Sequence, residues 1–333
     1  MSLLFLNREE VEALLPMGEC IEVVEAGLRV LARGGAVQPL RSAYWMPDRH
    51  GLLGVMPGML EGLAAEDQPV AGIKILTVVP DNYLHGEESH QGLVVLFEQE
   101  RGRPIAILDA SAVTAIRTAA ASAVATRALA RKGAGDLAIL GSGTQARSHL
   151  EAMAAVRALR RVRIWSRNPE SARRFAEREG ESFGVKVEPV TSAREAVEGA
   201  DLICTVTAAR EPILEGSWIS PGAHINAVGA CTPVARELDA AAVARSRLFT
   251  DRRESALAEA GDFLLARSEG AVTDAHLLGE LGELLEGKID GRRSDEEITL
   301  FKSLGIAVED LASGRYVYGK ALAAGRGISL DLG

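Results

Sequence analysis

The sequence predicts an α/β protein of two domains. Three observations carry that reading: a chain of 333 residues, long enough to bury two cores; a strand-rich first third; and a middle stretch in which short apolar strands alternate with helices. Such alternation builds a parallel sheet with crossover helices.

Residues 7–33 read as helical. Asn7 with Glu10 three positions later forms a capping pair, and "CIEVVEAGLRVLA" repeats apolar residues at helical spacing. From about residue 40 to 108 the strings "GLLGVM", "AGIKILTVV", "GLVVLFE" and "PIAILDA" read as strands, divided by glycine, proline and the polar loop "PDNYLHGEESHQ". The alanine-rich helix "SAVTAIRTAAASAVATRALARKG" follows, starting near Ser111 and ending before Gly133. Between 136 and about 252, "LAILG", "RVRIWS", "KVEPV", "DLICTVT", "HINAVG" and "RLFTD" are strands with helices between them, and Ser192 with Glu195 forms a second capping box. The tail, 270–325, reads as mainly helical.

Composition narrows the function. A net charge of −9 argues against nucleic acid or an anionic membrane as partner, since both need a basic face. No run approaches a membrane span, and the apolar stretch of "MSLLFLNREE" is too short for a secretion signal. Cys20, Cys204 and Cys231 are scattered and odd in number, which suits neither a disulfide framework nor a zinc site. The expectation is a cytoplasmic protein without a metal.

Gly141-Ser142-Gly143-Thr144-Gln145-Ala146 fits G-x-G-x-x-A directly after a strand and at the start of a helix. The first glycine makes the tight turn, the second lets backbone approach a pyrophosphate, and the small Ala146 lets helix and strand pack closely. The helix N-terminus then turns its positive end to the phosphates. At the end of the next strand NAD binding calls for an acid; the chain has Ser166-Arg167-Asn168 instead. An arginine and two neutral hydrogen-bonding groups suit a 2′-phosphate, so NADP(H) is the preferred cofactor and NAD(H) the second.

Three cations stand in apolar settings: Lys74 inside "AGIKILTVV", Arg117 inside "TAIRTAAASA" and Arg41 after "AVQPL". Each alone is explained by a side chain that snorkels at an edge. Together they make a cationic pocket for a carboxylate, in which two arginines and partial burial lower the pKa of Lys74.

The strings "GLLGVMPG", "AGIK", "SHQGLVVLFE", "ASAVTAIRTAAASA", "GSGTQA", "INAVGACTPVARELD" and "LFKSLGIAVED" closely resemble the ornithine cyclodeaminase/mu-crystallin family, nearly end to end. The resemblance implies a Rossmann dinucleotide-binding domain, 119–307, inserted in an α+β substrate-binding and dimerisation domain, 1–118 with 308–333. In the homodimer the sheets of the latter close a shared barrel. It implies substrate and catalytic roles for Arg41, Lys74 and Arg117, with Met56, His90 and Cys231 in the same pocket. It also implies cofactor contacts for Thr118, the glycine-turn residues, Thr205, Thr207, Val228 and Ser303. "WSRN" resembles the NADPH-preferring mu-crystallin branch.

Two departures bear on the reaction. The cyclodeaminases' "GGDCP" is here "GACTP", with Cys231 in place of the aspartate, and their glutamate before "LMP" is here Gly54 before "VMP". Both carboxylates that serve a second substrate amine are lost, and Cys231 reads as a pocket-lining thiol. The expected activity is reduction of a carboxylated imine or the related amino-acid dehydrogenation. The alternatives are an ornithine cyclodeaminase and a ligand-binding protein that uses the cofactor without turnover.

Overall fold

The computed structural model describes residues 2–64 and 67–333. In chain order the elements are β1 (Ser2–Leu6), α1 (Arg8–Leu14), α2 (Met17–Ala32), β2 (Ala36–Val37), β3 (Ser42–Trp45), β4 (Leu52–Leu60), β5 (Val70–Val78), β6 (His90–Glu98), β7 (Pro104–Asp109) and α3 (Ala110–Leu129). There follow β8 (Asp136–Leu140), α4 (Thr144–Val156), β9 (Arg161–Trp165), α5 (Pro169–Phe183), β10 (Val187–Pro189), α6 (Ala193–Val197), β11 (Leu202–Thr205) and β12 (His224–Ala227). The last group is α7 (Ala240–Ala244), β13 (Ser246–Thr250), α8 (Arg253–Glu259), α9 (Gly261–Ser268), β14 (Leu277–Glu280), α10 (Leu281–Leu285), β15 (Ile298–Lys302), α11 (Ala307–Ala324) and β16 (Ile328–Asp331).

Two compact units result: Met1–Ala120 with Gly305–Gly333, and Ala121–Leu304. The first holds a mixed sheet in the order β16-β1-β7-β6-β5-β4-β2, with β3 also paired to β4. Register fixes its faces. The rows Gly54–Leu76–Gly92, Met56–Lys74–Val94 and Gly58–Gly72–Leu96 cross β4, β5 and β6, and α11 packs across these three strands, with Leu311 against Gly58 and Gly72. The opposite face carries Leu53, Met59, Ile75 and Leu93, and from β3 Tyr44, all exposed. Asn7 caps α1 as expected: its Oδ1 accepts from Glu10 N at 3.0 Å and its own N donates to Glu10 Oε2 at 3.0 Å. Pro16 then ends that helical stretch and serves as the N-cap of α2.

The second unit holds a sheet in the order β10-β9-β8-β11-β12-β15-β13-β14, parallel throughout. The expected alternation is present. Two readings need correction. The tail is not mainly helical: "ITLFK" is β15, buried along its whole length between β12 and β13, because a short apolar run has no period that tells strand from helix. The second capping box is half formed. Ser192 Oγ accepts from Glu195 N at 3.1 Å, but the Glu195 carboxylate takes Thr191 N and Oγ1 instead of the cap amide.

Candidate active site

Alternation along β5 points Lys74 at the face covered by α11, between Met56 on β4 and Val94 on β6. There it is 1% exposed, a burial that lysine tolerates only with a partner. Its Nζ donates to the Asp310 carboxylate at 2.7 Å and to Thr114 Oγ1 at 3.3 Å. Arg117, one helical turn beyond Thr114 on α3, donates Nε to the same Asp310 at 2.8 Å and Nη1 to Glu309 Oε2 at 2.7 Å. Both carboxylates are buried. Two cations and two anions therefore neutralise one another inside the first unit, an arrangement that offsets the cost of burying each.

The neutrality is not even. Burial first, then the positive charge of Arg117, pushes the Lys74 pKa down, while Asp310 opposes the fall; the ammonium ends at about 8. The direction is the expected one, although burial is complete and not partial. Arg41, half-buried, donates Nη2 to Gly305 O at 3.4 Å, and its charge also reaches Lys74. His90 lies on the Lys74 face at the start of β6, with Nδ1 2.9 Å from Ser89 Oγ. The residue is exposed. Desolvation, then Lys74, Arg117 and Arg41, pushes its pKa down to about 4, so it is neutral at neutral pH.

In the second unit the glycine turn has the geometry its sequence requires. Gly141 has φ +124°, and a Cβ there would lie 2.7 Å from Val206 O, so only glycine makes the turn. Gly143 is the N-cap of α4 and brings no side chain to cap it, which leaves the helix end suited to an anion. Thr144 is exposed and Gln145 half-buried. Ser142 Oγ donates to Ser166 Oγ at 3.0 Å, which joins the turn to the end of β9. Arg167 is exposed beside it. Asn168 has a structural task that the sequence reading did not assign: its Oδ1 caps α5 by accepting from Glu170 N at 3.0 Å.

Thr205, Val228 and Ser303 gather at the carboxyl ends of β11, β12 and β15, where Val228 N donates to Thr205 O and Ser303 N to Ala227 O. Open parallel sheets bind ligands outside such strand ends. A residue missed by sequence reasoning organises them. Glu237, fully buried, accepts from Thr205 Oγ1 at 2.7 Å, Thr207 N at 2.6 Å, Thr207 Oγ1 at 2.7 Å and Gly229 N at 2.7 Å. Both threonine hydroxyl protons are thereby committed inside the protein. Ser303 Oγ is buried with no hydrogen-bond partner among the described residues, an orphan that a ligand can satisfy. The glycine cradle, the uncapped helix end and this orphan fit a dinucleotide. Cys231 belongs to this unit, its thiol donating to Val228 O at 3.2 Å. Thr118 is buried on α3 in the first unit.

Comparison with known proteins fits this geometry. Residues 1–325 match the ornithine cyclodeaminase/mu-crystallin family. The chain belongs to that family. It is 41% identical over 318 residues to the ketimine reductase mu-crystallin of Mus musculus, a match that covers 94% of this chain and 96% of the relative. The structure of Thermococcus litoralis Δ1-pyrroline-2-carboxylate reductase, in complex with NADH and L-proline, superposes with a TM-score of 0.94 at 38% identity, covering 98% of this chain and all of the other. An archaeal alanine dehydrogenase dimer with bound NAD superposes at 0.93 with 33% identity over the full length of both. The α/β fold with its mixed and parallel sheets is therefore that of NAD-binding members of the family.

Glu309 and Asp310 were also missed. Their signal is visible in hindsight: two adjacent acids follow the apolar "LGIAV" and lead into "LASG", at a helix start that buries most of its residues.

Proposed function

We propose that this chain is an NAD(P)H-dependent reductase of carboxylated imines. Its substrates are cyclic ketimines such as Δ1-pyrroline-2-carboxylate or Δ1-piperideine-2-carboxylate, or imines formed from 2-oxo acids and amines. The observation that carries the reading is the buried Lys74 ammonium, with Arg117 and Arg41 close enough to act on its charge, in a chain that resembles imine reductases along its length. A bound nicotinamide dinucleotide supplies the hydride. Arg41, the more accessible arginine, grips the substrate carboxylate with two donors. Arg117 adds positive charge to the pocket, and Met56 and neutral His90 line it. Lys74, poised near 8, donates a proton to the imine nitrogen at neutral pH.

Gly141, Ser142, Gly143, Thr144 and Gln145 cradle the pyrophosphate, and Thr118, Thr205, Thr207, Val228 and Ser303 hold the nicotinamide half. Ser166, Arg167 and the amide nitrogen of Asn168 favour the 2′-phosphate of NADP(H), because no carboxylate stands there to repel it. The exposed apolar face of the first sheet supports a homodimer in which two such sheets close a barrel, since a monomer rarely leaves that much apolar surface open. Three free cysteines suit a reducing cytoplasm.

A cyclodeaminase is the competing reading, and Cys231 and Gly54 speak against it. The test is to mix purified protein with NADPH or NADH and a panel of cyclic imines, 2-oxo acids with amines, and L-ornithine. Oxidation of the cofactor with imines supports the reading. Steady conversion of ornithine to proline, or no turnover of any imine, refutes it.

A further inference from the structure

We propose that Glu237 is a positioning residue for the nicotinamide half of the dinucleotide: it holds the turns that follow β11 and β12 in the one arrangement that binds this end of the cofactor. The inference rests on the reading of these strand ends as a cofactor site. Glu237 lies wholly beneath the surface, so it acts through the groups bonded to it. Its Oε1 takes Thr207 N at 2.6 Å and Thr207 Oγ1 at 2.7 Å, and its Oε2 takes Thr205 Oγ1 and Gly229 N, both at 2.7 Å. Thr205 ends β11, and Thr207 and Gly229 stand just past the ends of β11 and β12. A single carboxylate therefore ties the two turns together. The turns also touch: a Cβ on Gly229 would lie 2.0 Å from Thr207 O, an approach that needs glycine.

The donors decide the chemistry. Each oxygen of Glu237 receives one backbone N–H, which can only donate, so both oxygens must offer lone pairs. An amide in its place turns an NH2 group toward one of those N–H groups and leaves a buried donor without a partner. Burial, then Asp262, pushes the Glu237 pKa up, and Lys302 and the two threonine hydroxyls pull it back. A second buried pair stands behind it. Asp262 Oδ1 takes Glu237 N at 2.7 Å and Leu238 N at 2.9 Å. Its Oδ2 lies 3.0 Å from Lys302 Nζ, which also donates to Ala227 O at 3.2 Å. Lys302 directly precedes Ser303, whose hydroxyl is the buried orphan. Two carboxylates and one ammonium thus fix the ends of β11, β12 and β15 to one another. On the outer side Thr207 is half-buried. Its Oγ1 has given its proton to Glu237 and accepts Ala209 N at 3.1 Å, so it meets a ligand as an acceptor. That suits the donors of the nicotinamide half, its ribose hydroxyls and its carboxamide NH2 group.

The test compares whole dinucleotides with their adenosine halves by calorimetric titration of the full-length protein: NADPH against 2′-phospho-ADP, and NADH against ADP. The fragments keep the adenosine and the pyrophosphate but lack the nicotinamide and its ribose. Glu237→Gln should weaken the dinucleotides by about tenfold or more and the fragments by less than about twofold. Glu237→Asp keeps the charge but is one methylene too short to span both turns. It should fall between native and Glu237→Gln with the same selectivity, and if Glu237→Gln does not fold, Glu237→Asp decides. A loss shared equally by dinucleotide and fragment marks general damage to the fold and overturns the proposal. Unchanged dinucleotide affinity in the deciding variant overturns it as well. The two readings separate in the native protein: failure to bind either dinucleotide defeats the cofactor site itself, whereas native binding that the variants retain in full defeats only the role of Glu237.

Discussion

Replacing Lys74 by methionine separates what the ammonium does for the reaction from what it does for the fold. The stem keeps its length and its place between Met56 and Val94, so packing changes little. The charge balance changes. Lys74 and Arg117 face Asp310 and Glu309, and without the ammonium the cluster carries one uncompensated negative charge in a site closed to water. Removal of one partner of a buried pair costs about 3–5 kcal/mol; Arg117 still holds Asp310 at 2.8 Å, so the lower end, about 3 kcal/mol, is expected. For a unit of this size that is a fall in Tm of roughly 10 °C. The double variant Lys74→Met/Asp310→Asn restores neutrality and should recover most of this. Imine reduction at pH 7 should fall by about 10²-fold or more in the single variant and stay low in the double one. Melting curves of the cofactor-free protein and initial rates on one cyclic imine measure both. Near-native reduction by Lys74→Met, or a double variant no more stable than the single, would refute the reasoning.

Cofactor choice turns on the end of β9. Ser166→Asp places a carboxylate where Ser142 now bonds the serine hydroxyl, and should weaken NADPH by on the order of tenfold or more while NADH is held as well or better; equal affinity of the native protein for both cofactors in a fluorescence titration sinks the preference. Acid should destabilise the second unit. Burial pushes His149 down to about 4 and His224 to about 3, so the unfolded chain takes up protons that the folded one refuses. Stability is then lost as pH falls below about 6.5, by about 1.4 kcal/mol per pH unit for each histidine; thermal melts with the same Tm at pH 7 and pH 5 count against it. For assembly, Ile75→Glu on the open sheet face should turn a dimer into a monomer by light scattering. A native protein that is already monomeric at micromolar concentration removes the shared barrel.

The parts of the protein that follow from local rules were legible in the sequence. The turn at Gly141 needs a small residue with positive φ after a strand, and the string shows both. Six strands of the second sheet, β8 to β13, were visible because turns and helices punctuate them. Lys74 and Arg117 stood out because charges inside apolar runs demand an explanation. What could not be read is whatever depends on a partner distant in sequence. Glu309 and Asp310 look like the acidic first turn of any helix until the fold brings β5 and α3 against them. Glu237 lies in an irregular loop, and nothing local says that four donors converge on it. Asn168 was read only as a hydrogen-bonding group for the 2′-phosphate, and its bond to Glu170 N, which caps α5, was missed. β15 was lost for a different reason: a strand buried on both faces has no alternation to betray it.

The join between β15 and α11 ties these observations together, and it makes a last prediction. Gly305 has φ +74°, a conformation that favours glycine. Its carbonyl accepts from Arg41 Nη2 at 3.4 Å, and a Cβ on it would lie 2.5 Å from Arg117 Nη1 and 2.8 Å from Nη2. One residue thus meets both arginines. It also precedes the first turn of α11, where Glu309 and Asp310 sit at the positive end of the helix. In Gly305→Ala the backbone strain costs about 1–2 kcal/mol. The methyl group cannot be accommodated unless the Arg117 guanidinium moves, and that guanidinium is held at 2.7 and 2.8 Å by two buried carboxylates. The ion pairs around Lys74 must then shift, and with them the carbonyl that accepts from Arg41. The protein should still fold and bind NADPH as before, because the glycine turn belongs to the other unit, while kcat/KM for imine reduction falls by roughly tenfold or more. Steady-state kinetics beside a cofactor titration distinguishes the two effects, and a Gly305→Ala variant with native kinetics would show that neither arginine needs the placement this glycine permits.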